Sequence, residues 1–428
     1  MKKNTLLIFV RNLMLMFIGF LISIIIARSL GPTLQGKYAI FILIPTLFYN
    51  IGNLGIGSSA IYLLNRDYKN RYSYILLIKK IIYILTIFNT ILGSIFLYIY
   101  VNYANIDVSI NEFLMIVLLI PVLLVNNIIL FLFQALRNFS QFSFNSLLPK
   151  ILQLLFLVLF IIIDKNTLFL TLLIFLVSNL LSTIYSIYKL EKIISKVEKN
   201  ITPISVKEFI MYGLKTHLAN TVTFLNYRLD QLLIGLLINS YSVGIYNISV
   251  LIVEKIWSLT NPLITVLFPE MSRLEDINKK VELTNKLSRI IVISNFFIGI
   301  LFFIIMRPFI IITFGKEYIE AVNVTNILLI GILAMNIDKI LSNFFASVGH
   351  PEINMKITNY TLISNLILAL IFIPKFGIMG AALSTTMSYL ITFVLKVKRY
   401  KIYNDVSYKD ILFIKGQDIK YIKSILNR

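Results

Sequence analysis

The sequence predicts an all-α polytopic membrane protein: twelve transmembrane helices in two six-helix bundles related by a pseudo-twofold. Three observations carry this. The 428 residues are 58% hydrophobic and only 14% charged, with a mean hydropathy of +0.86, against about 45–50% and about 25% in soluble domains. Twelve segments approach the roughly 20 apolar residues that a helix needs to cross a bilayer. The Lys and Arg residues then fall overwhelmingly on alternate connections, as a polytopic chain requires.

The spans follow in order. Span 1 (6–27) comes after the basic start MKKN; Arg11 interrupts it and no small-x-small cleavage site follows, so it reads as an uncleaved helix rather than a signal peptide. Span 2 (38–64) holds Pro45, Gly52, Gly55 and Gly57, which bend a helix and open irregular backbone onto a cavity. Spans 3 (81–100), 4 (113–136, with Pro121), 5 (144–163, with Pro149 and Lys150 near its start) and 6 (168–188) complete the first half. The longest inner connection, 189–214, separates it from spans 7 (215–238), 8 (244–268, with Pro262), 9 (287–306, with Pro308 beyond it), 10 (321–348), 11 (355–373) and 12 (378–395). The organisation is therefore a bundle over 1–188, a cytoplasmic linker over 189–214, a bundle over 215–395 and a basic tail over 396–428. Within that tail KDILFIKGQDIKYIKSIL alternates apolar and Lys positions at helical spacing and reads as a helix on an anionic inner leaflet.

With the N-terminus inside, and with Lys150, Arg289 and Lys356 at the inner ends of spans 5, 9 and 11 counted as inner, the inner segments hold 29 Lys and Arg residues and the outer loops 6; the other five lie in or at the ends of spans. Both termini are expected in the cytoplasm. The net charge of +20 thus belongs to the membrane face and does not imply a nucleic-acid partner. With no cysteine and two histidines, His217 and His350, disulfides, thiolate chemistry and a metal centre are not expected. His217, one helical turn into span 7, reads as an interface histidine. Trp257 reads as a lipid-facing or interfacial anchor.

The halves look related. GKY in IARSLGPTLQGKYAIF (26–41) aligns with GIY in IGLLINSYSVGIYNIS (234–249) at an offset of 208, and FQALRNFS (133–140) aligns with FASVGHPE (345–352) at 212. They occur in order at nearly one spacing. A 6+6 parallel repeat places a transporter's substrate site between its halves near the midplane.

Charges inside the spans cost roughly 2.5–3.5 kcal/mol each on insertion scales, so they mark the site. The connection between spans 7 and 8 is very short, so antiparallel register sets Arg228 level with Ile252–Glu254, about 15 Å from the outer end. Asp230 and Lys255 lie within a turn of that level, and Asp338 and Lys339 are near mid-depth on span 10. Residues two apart on a helix point to nearly opposite sides, so Arg228 and Asp230 need different partners. The cations Arg11, Lys215, Arg228, Lys255 and Lys339 outnumber Asp230, Glu254 and Asp338. An anionic ligand would compensate the excess, and the acids would pair charge or hold a coupling ion.

Several stretches together resemble the polysaccharide-unit flippases (O-antigen and capsule repeat), a branch of the superfamily that includes multidrug and toxin extrusion transporters and the lipid II flippase. These are Arg11 followed by ARSLGPTLQGKY (27–38), NLGIGSSAIYLL (53–64), RLDQLLIG (228–235), VGIYNIS (243–249), FPEMSRL (268–274), SVGHP (347–351) and IPKFGIMGAALSTTMSYLI (373–391). The resemblance implies two bundles around a cationic cavity that opens alternately to each face of a bacterial plasma membrane. It implies a substrate of oligosaccharide joined through pyrophosphate to undecaprenol, with a Na⁺ or H⁺ gradient as driving force and no other cofactor. A polysaccharide polymerase and chain-length machinery would be its partners beside membrane lipids. The alternative within transporters is an ion-coupled exporter of drugs or other small molecules, whose pocket would be net acidic. A membrane polymerase or ligase would need a large outer loop with catalytic groups, and none is long enough.

Overall fold

The structure, a computed structural model, describes residues 2–162, 167–199, 201, 203–258, 267, 270–416 and 418. Among these there are helices and no strands: α1 (Lys2–Gly52), α2 (Ile56–Arg66), α3 (Arg71–Tyr103), α4 (Ile110–Ala135), α5 (Phe139–Ile162), α6 (Leu168–Ile194), α7 (Val206–Leu237), α8 (Ser240–Ser258), α9 (Ile277–Thr313), α10 (Ala321–Ser347), α11 (Pro351–Asn404) and α12 (Tyr408–Leu412). Helices are what apolar sequence must form in lipid, because each then satisfies its own backbone. Pro262 and the last turns of expected span 8 lie outside the described residues.

Among the described residues eight helices are long and apolar enough to cross a membrane. Two of them contain a break. In α1 Gly31 adopts φ 69°, ψ 172°, a conformation open to glycine, and Pro32 starts the next arm with its φ already helical. In α11 the break is at Gly377. Each long helix thus supplies two of the expected spans. The polar α7 and α8 are not among the eight; Arg228, Asp230, Glu254 and Lys255 lower their apolarity. The multi-pass all-α architecture is as expected, and ten of the twelve expected segments come from these eight helices.

The chain divides into two compact units, Met1–Phe224 with Asn239–Gly244, and Leu225–Ile238 with Ile245–Arg428. In the first, Ile75, Ile78, Leu124, Leu132 and Phe133 form a buried core among α2, α3 and α4, joined by Phe209 of α7. The tip of the α7–α8 hairpin rests on the break in α1. A Cβ on Gly36 would lie 1.8 Å from the Ser240 carbonyl oxygen, and one on Gly244 2.0 Å from the Pro32 carbonyl oxygen. The contact is reciprocal: Gly36 meets Ser240 and Gly244 meets Pro32, and the 208-residue offset carries Gly36 onto Gly244 and Pro32 onto Ser240. The glycines flagged by the repeat are there because only they permit this approach.

The second repeat match is also visible in the backbone. After α4, Asn138 N–H donates to Phe133 O (2.8 Å) and Arg137 N–H to Gln134 O (2.9 Å); after α10, His350 N–H donates to Phe345 O (2.8 Å) and Gly349 N–H to Ala346 O (3.3 Å). Both are helix ends closed by a left-handed residue, Arg137 at φ 55° and Gly349 at φ 85°. The arginine carries a cost of roughly 1–2 kcal/mol there that glycine avoids.

In the second unit Met271, Leu341, Phe344, Phe345 and Tyr400 form the core, with Ile411 of α12. The tail departs from expectation. α11 runs on to Asn404, α12 is a single short turn, and Phe413 is extended, so no continuous surface helix covers the described part of 409–426. Instead Asp418 is buried against Arg289 of α9. The guanidinium donates to both carboxylate oxygens, Nε to Oδ2 at 2.6 Å and Nη2 to Oδ1 at 2.9 Å, while Nη1 donates to the Asp410 carbonyl. Arg289 holds the Asp418 carboxyl below the usual carboxylate range. A depressed folded value stabilises docking above the unfolded value of about 3.9 and loses that contribution as pH falls through the folded one. Hydrogen-exchange protection of α12, taken relative to the unstructured chain at each pH, is therefore expected to be constant from pH 7 to 5 and to fall below pH 4, whereas Asp418→Asn should already be poorly protected at pH 7.

Candidate functional site

The interior charges of the second unit sit on α7, α8, α10 and α11. Arg228 and Glu254 meet as the hairpin register requires: Nη1 is 2.9 Å from Oε1 and Nη2 donates to Oε2 at 3.3 Å. The pair is bidentate, which favours arginine over lysine. Both side chains remain about a third exposed, so the pair borders accessible space.

Asp230 faces away from Arg228, as the two-residue spacing demands. It is buried and accepts from Tyr246 Oη (3.0 Å), Asn365 Nδ2 (3.1 Å) and Thr385 Oγ1. Its partners are neutral groups from α8 and both arms of α11. Asn365 Oδ1 is buried beside it without a partner.

Asp338 is answered by a residue the sequence reading had assigned to the tail. Lys396 Nζ lies 3.0 Å from Asp338 Oδ1, both deeply buried, and also donates to Ser342 Oγ (2.8 Å) and Asn354 Oδ1 (3.0 Å). Lys396 therefore belongs to the packed helix, and the expected ledger of five cations against three acids omitted it. Lys339, next to Asp338 in sequence, places its ammonium 3.7 Å from the centre of the Trp257 ring. Trp257 in turn meets Tyr227 edge-on at 5.5 Å. It is half-buried within the unit. Lys255 is half-buried and makes no ion pair among the described residues.

In the first unit Arg11 stacks over Phe142 of α5, 4.3 Å from the ring centre, and donates to Asn12 Oδ1 at 2.6 Å; its Nε is buried without a partner. Lys215 is exposed. Neither makes an ion pair among the described residues. The structure thus joins Arg228 with Glu254 and places the other candidates separately. The buried pairs Arg289–Asp418 and Lys396–Asp338 were missed. No hydropathy signal marks them, because Lys396 and Asp418 lie where the sequence turns basic and its hydropathy falls.

The sequence profile of a family described as "Polysaccharide biosynthesis protein" matches residues 1–275. The capsular polysaccharide biosynthesis protein CapF of Staphylococcus aureus is 28% identical over 204 residues, 46% of this chain and 50% of that protein. The probable low-salt glycan biosynthesis flippase Agl15 of Haloferax volcanii is 27% identical over 173 residues, 39% of this chain and 36% of that protein. The matched regions span about half or less of these relatives. Among solved structures, the lipid II flippase MurJ in an inward closed conformation superimposes with a TM-score of 0.74 at 17% identity, covering 100% of this chain and 93% of that one. An inward-facing multidrug resistance MATE transporter gives 0.69 at 12%, covering 92% and 96%. Those likenesses establish an all-helical fold shared with these structures, and the profile match establishes the lineage: the chain is a multi-pass membrane protein of the polysaccharide biosynthesis protein family.

Proposed function

We propose that this protein is a flippase that moves undecaprenyl-pyrophosphate-linked oligosaccharide repeat units from the inner to the outer leaflet of a bacterial plasma membrane by alternating access, with both termini cytoplasmic. The observation that supports this reading best is the allocation of the interior charges. Of the three acids, Glu254 alone meets a candidate cation; Asp338 is taken by Lys396 and Asp230 by neutral donors. At the accessible pair, Arg228 and the neighbouring Lys255 stand against the one acid Glu254, while Asp230 is enclosed, an arrangement that suits a pyrophosphate and opposes a cationic drug.

A sugar headgroup cannot cross hydrocarbon because its hydroxyls would lose their hydrogen-bond partners. A polar path bearing arginine removes most of that barrier, and guanidinium matches phosphate oxygens two at a time. Release then requires a competing partner for the cation, and Glu254 is one. Arg228 would alternate between Glu254 and the pyrophosphate, with Arg11, Lys215, Lys255 and Lys339 supplying further positive charge. Asp230 suits a coupling cation: a carboxylate, the unpartnered Asn365 Oδ1 and the hydroxyls of Thr385 and Tyr246 are oxygen ligands of the kind hard cations take.

The test is reconstitution into liposomes with lipid-linked oligosaccharide extracted from the source cells, scored by glycosidase access to the outer leaflet. Protein-dependent exposure is expected, faster under an imposed Na⁺ or proton gradient. No exposure, together with export of a fluorescent organic cation from the same vesicles, would overturn the reading in favour of a drug exporter.

A further inference from the structure

The break between α1 and α2 opens a polar cavity in the first unit that the charged residues above do not use. α1 ends at Gly52 and α2 begins at Ile56; between them Leu54 and Gly55 take left-handed conformations, φ 47° and 73°. The cavity, of about 190 Å³, is walled by Asn50, Asn53, Asn127, Phe131, His217 and Asn220. No Asp, Glu, Lys or Arg lines it.

The break itself accounts for part of this set. Asn53 Oδ1 accepts from Gly55 N–H at 2.8 Å, and Asn50 Nδ2 donates to Thr46 O at 2.9 Å. His217 Nε2 lies 2.7 Å from the Ile51 carbonyl at the end of α1. A carbonyl can only accept, so this nitrogen carries a proton and donates; the Thr221 hydroxyl lies 3.1 Å from the same nitrogen. The rest has no such duty. Asn127, Asn220 and the Ser58 hydroxyl, which also faces the cavity, make no hydrogen bond among the described residues, and Asn127 Oδ1 is buried without any partner. A buried amide left so costs about 1–3 kcal/mol, which a ligand in the cavity would recover.

The chemistry of that ligand follows from the lining. Phosphate or carboxylate would call for fixed positive charge and a metal or ammonium ion for fixed negative charge; neither is present. Amides and hydroxyls offer donors and acceptors interleaved, the complement of ring hydroxyls that both donate and accept. Phe131 supplies a flat apolar wall for a sugar's C–H face. We propose that this cavity holds one uncharged sugar residue of the lipid-linked oligosaccharide and reads its hydroxyl pattern, so that headgroup selectivity resides in the first unit. Ser58 also borders a larger groove of about 760 Å³ lined by Tyr62, Arg66 and Arg137, where Tyr62 stacks on Tyr212 at 4.3 Å; further sugars continue along it. This assignment rests on the flippase reading above.

Two lipids in nanodiscs separate the ideas: oligosaccharide-linked lipid extracted from the source cells, and undecaprenyl pyrophosphate bearing no sugar. Wild type is expected to bind the glycosylated lipid more tightly. Asn127→Leu with Asn220→Leu should weaken the glycosylated lipid about tenfold or more, the worth of one to two hydrogen bonds, and leave the sugarless lipid unchanged. Ser58→Ala, a smaller change that serves if the double variant melts early, should shift the same lipid in the same direction. Equal binding of both lipids by wild type and variants would overturn the sugar assignment and leave the flippase reading intact, and so would equal weakening of both lipids. Wild type that binds neither lipid would overturn both.

Discussion

Arg228→Ala is expected to abolish accumulation of surface polysaccharide while the protein remains in the membrane at its normal level. The side chain offers two charge-assisted hydrogen bonds, seen now on Glu254. Such bonds are worth about 1.5–3 kcal/mol each, so even one lost only when the headgroup is held would slow flipping about ten- to a hundredfold. Arg228→Lys should recover part of the rate, since lysine keeps the charge and lacks the fork. The double variant Arg228→Gln, Glu254→Gln discriminates a ligand role from a structural one. If the pair only fixes packing, removing both charges leaves neither buried alone, and the double variant should regain much of what either single variant loses. If Arg228 serves the pyrophosphate, the double variant should be as inactive as Arg228→Gln and normally folded. We expect the second result, because both side chains stay partly exposed. A double variant that flips at near wild-type rate would remove Arg228 from the site and leave Arg11, Lys215, Lys255 and Lys339 to hold the headgroup.

What the sequence made legible here was local in origin. Arg228 meets Glu254 because α7 and α8 are joined by a very short turn, so helical rise alone fixes their register. The same spacing argument separated Asp230 from Arg228. Gly36 and Gly244 were flagged by an internal repeat, and each proves to be a point where a carbonyl oxygen approaches too closely for a Cβ. The helix break predicted from Gly52, Gly55 and Gly57 lies between Gly52 and Ile56. What stayed hidden was non-local. Lys396 looked like the first residue of a basic tail because hydropathy falls there, yet α11 continues and carries the ammonium to Asp338 on α10. Asp418 lies in a segment whose composition suits a surface helix, and its burial depends on Arg289 more than a hundred residues away. Pair choice of this kind is decided by which faces pack, and no period or composition records it.

Lys396→Met is expected to be the most damaging single change to stability in the second unit. It leaves the Asp338 carboxylate buried, with Ser342 Oγ at 3.3 Å as its remaining side-chain donor among the described residues. Breaking a buried ion pair by removing one partner costs about 3–5 kcal/mol, which is of the order of a whole domain's stability. The variant should therefore be depleted from the membrane and melt well below wild type in detergent. Replacing both residues by apolar groups of similar size removes the orphaned charge as well as the pair, and such replacements are often neutral or stabilising. Lys396→Met with Asp338→Leu should accordingly return to near wild-type abundance and melting temperature, and should retain flipping. The contrast with Arg228 and Glu254 is the point of the comparison: the same double-neutralisation restores function at one pair and not at the other. That follows from exposure, since the Lys396–Asp338 pair is sealed and can reach no headgroup, while the Arg228–Glu254 pair is open. A stable double variant that no longer moves the lipid would place Asp338 in the transport cycle itself.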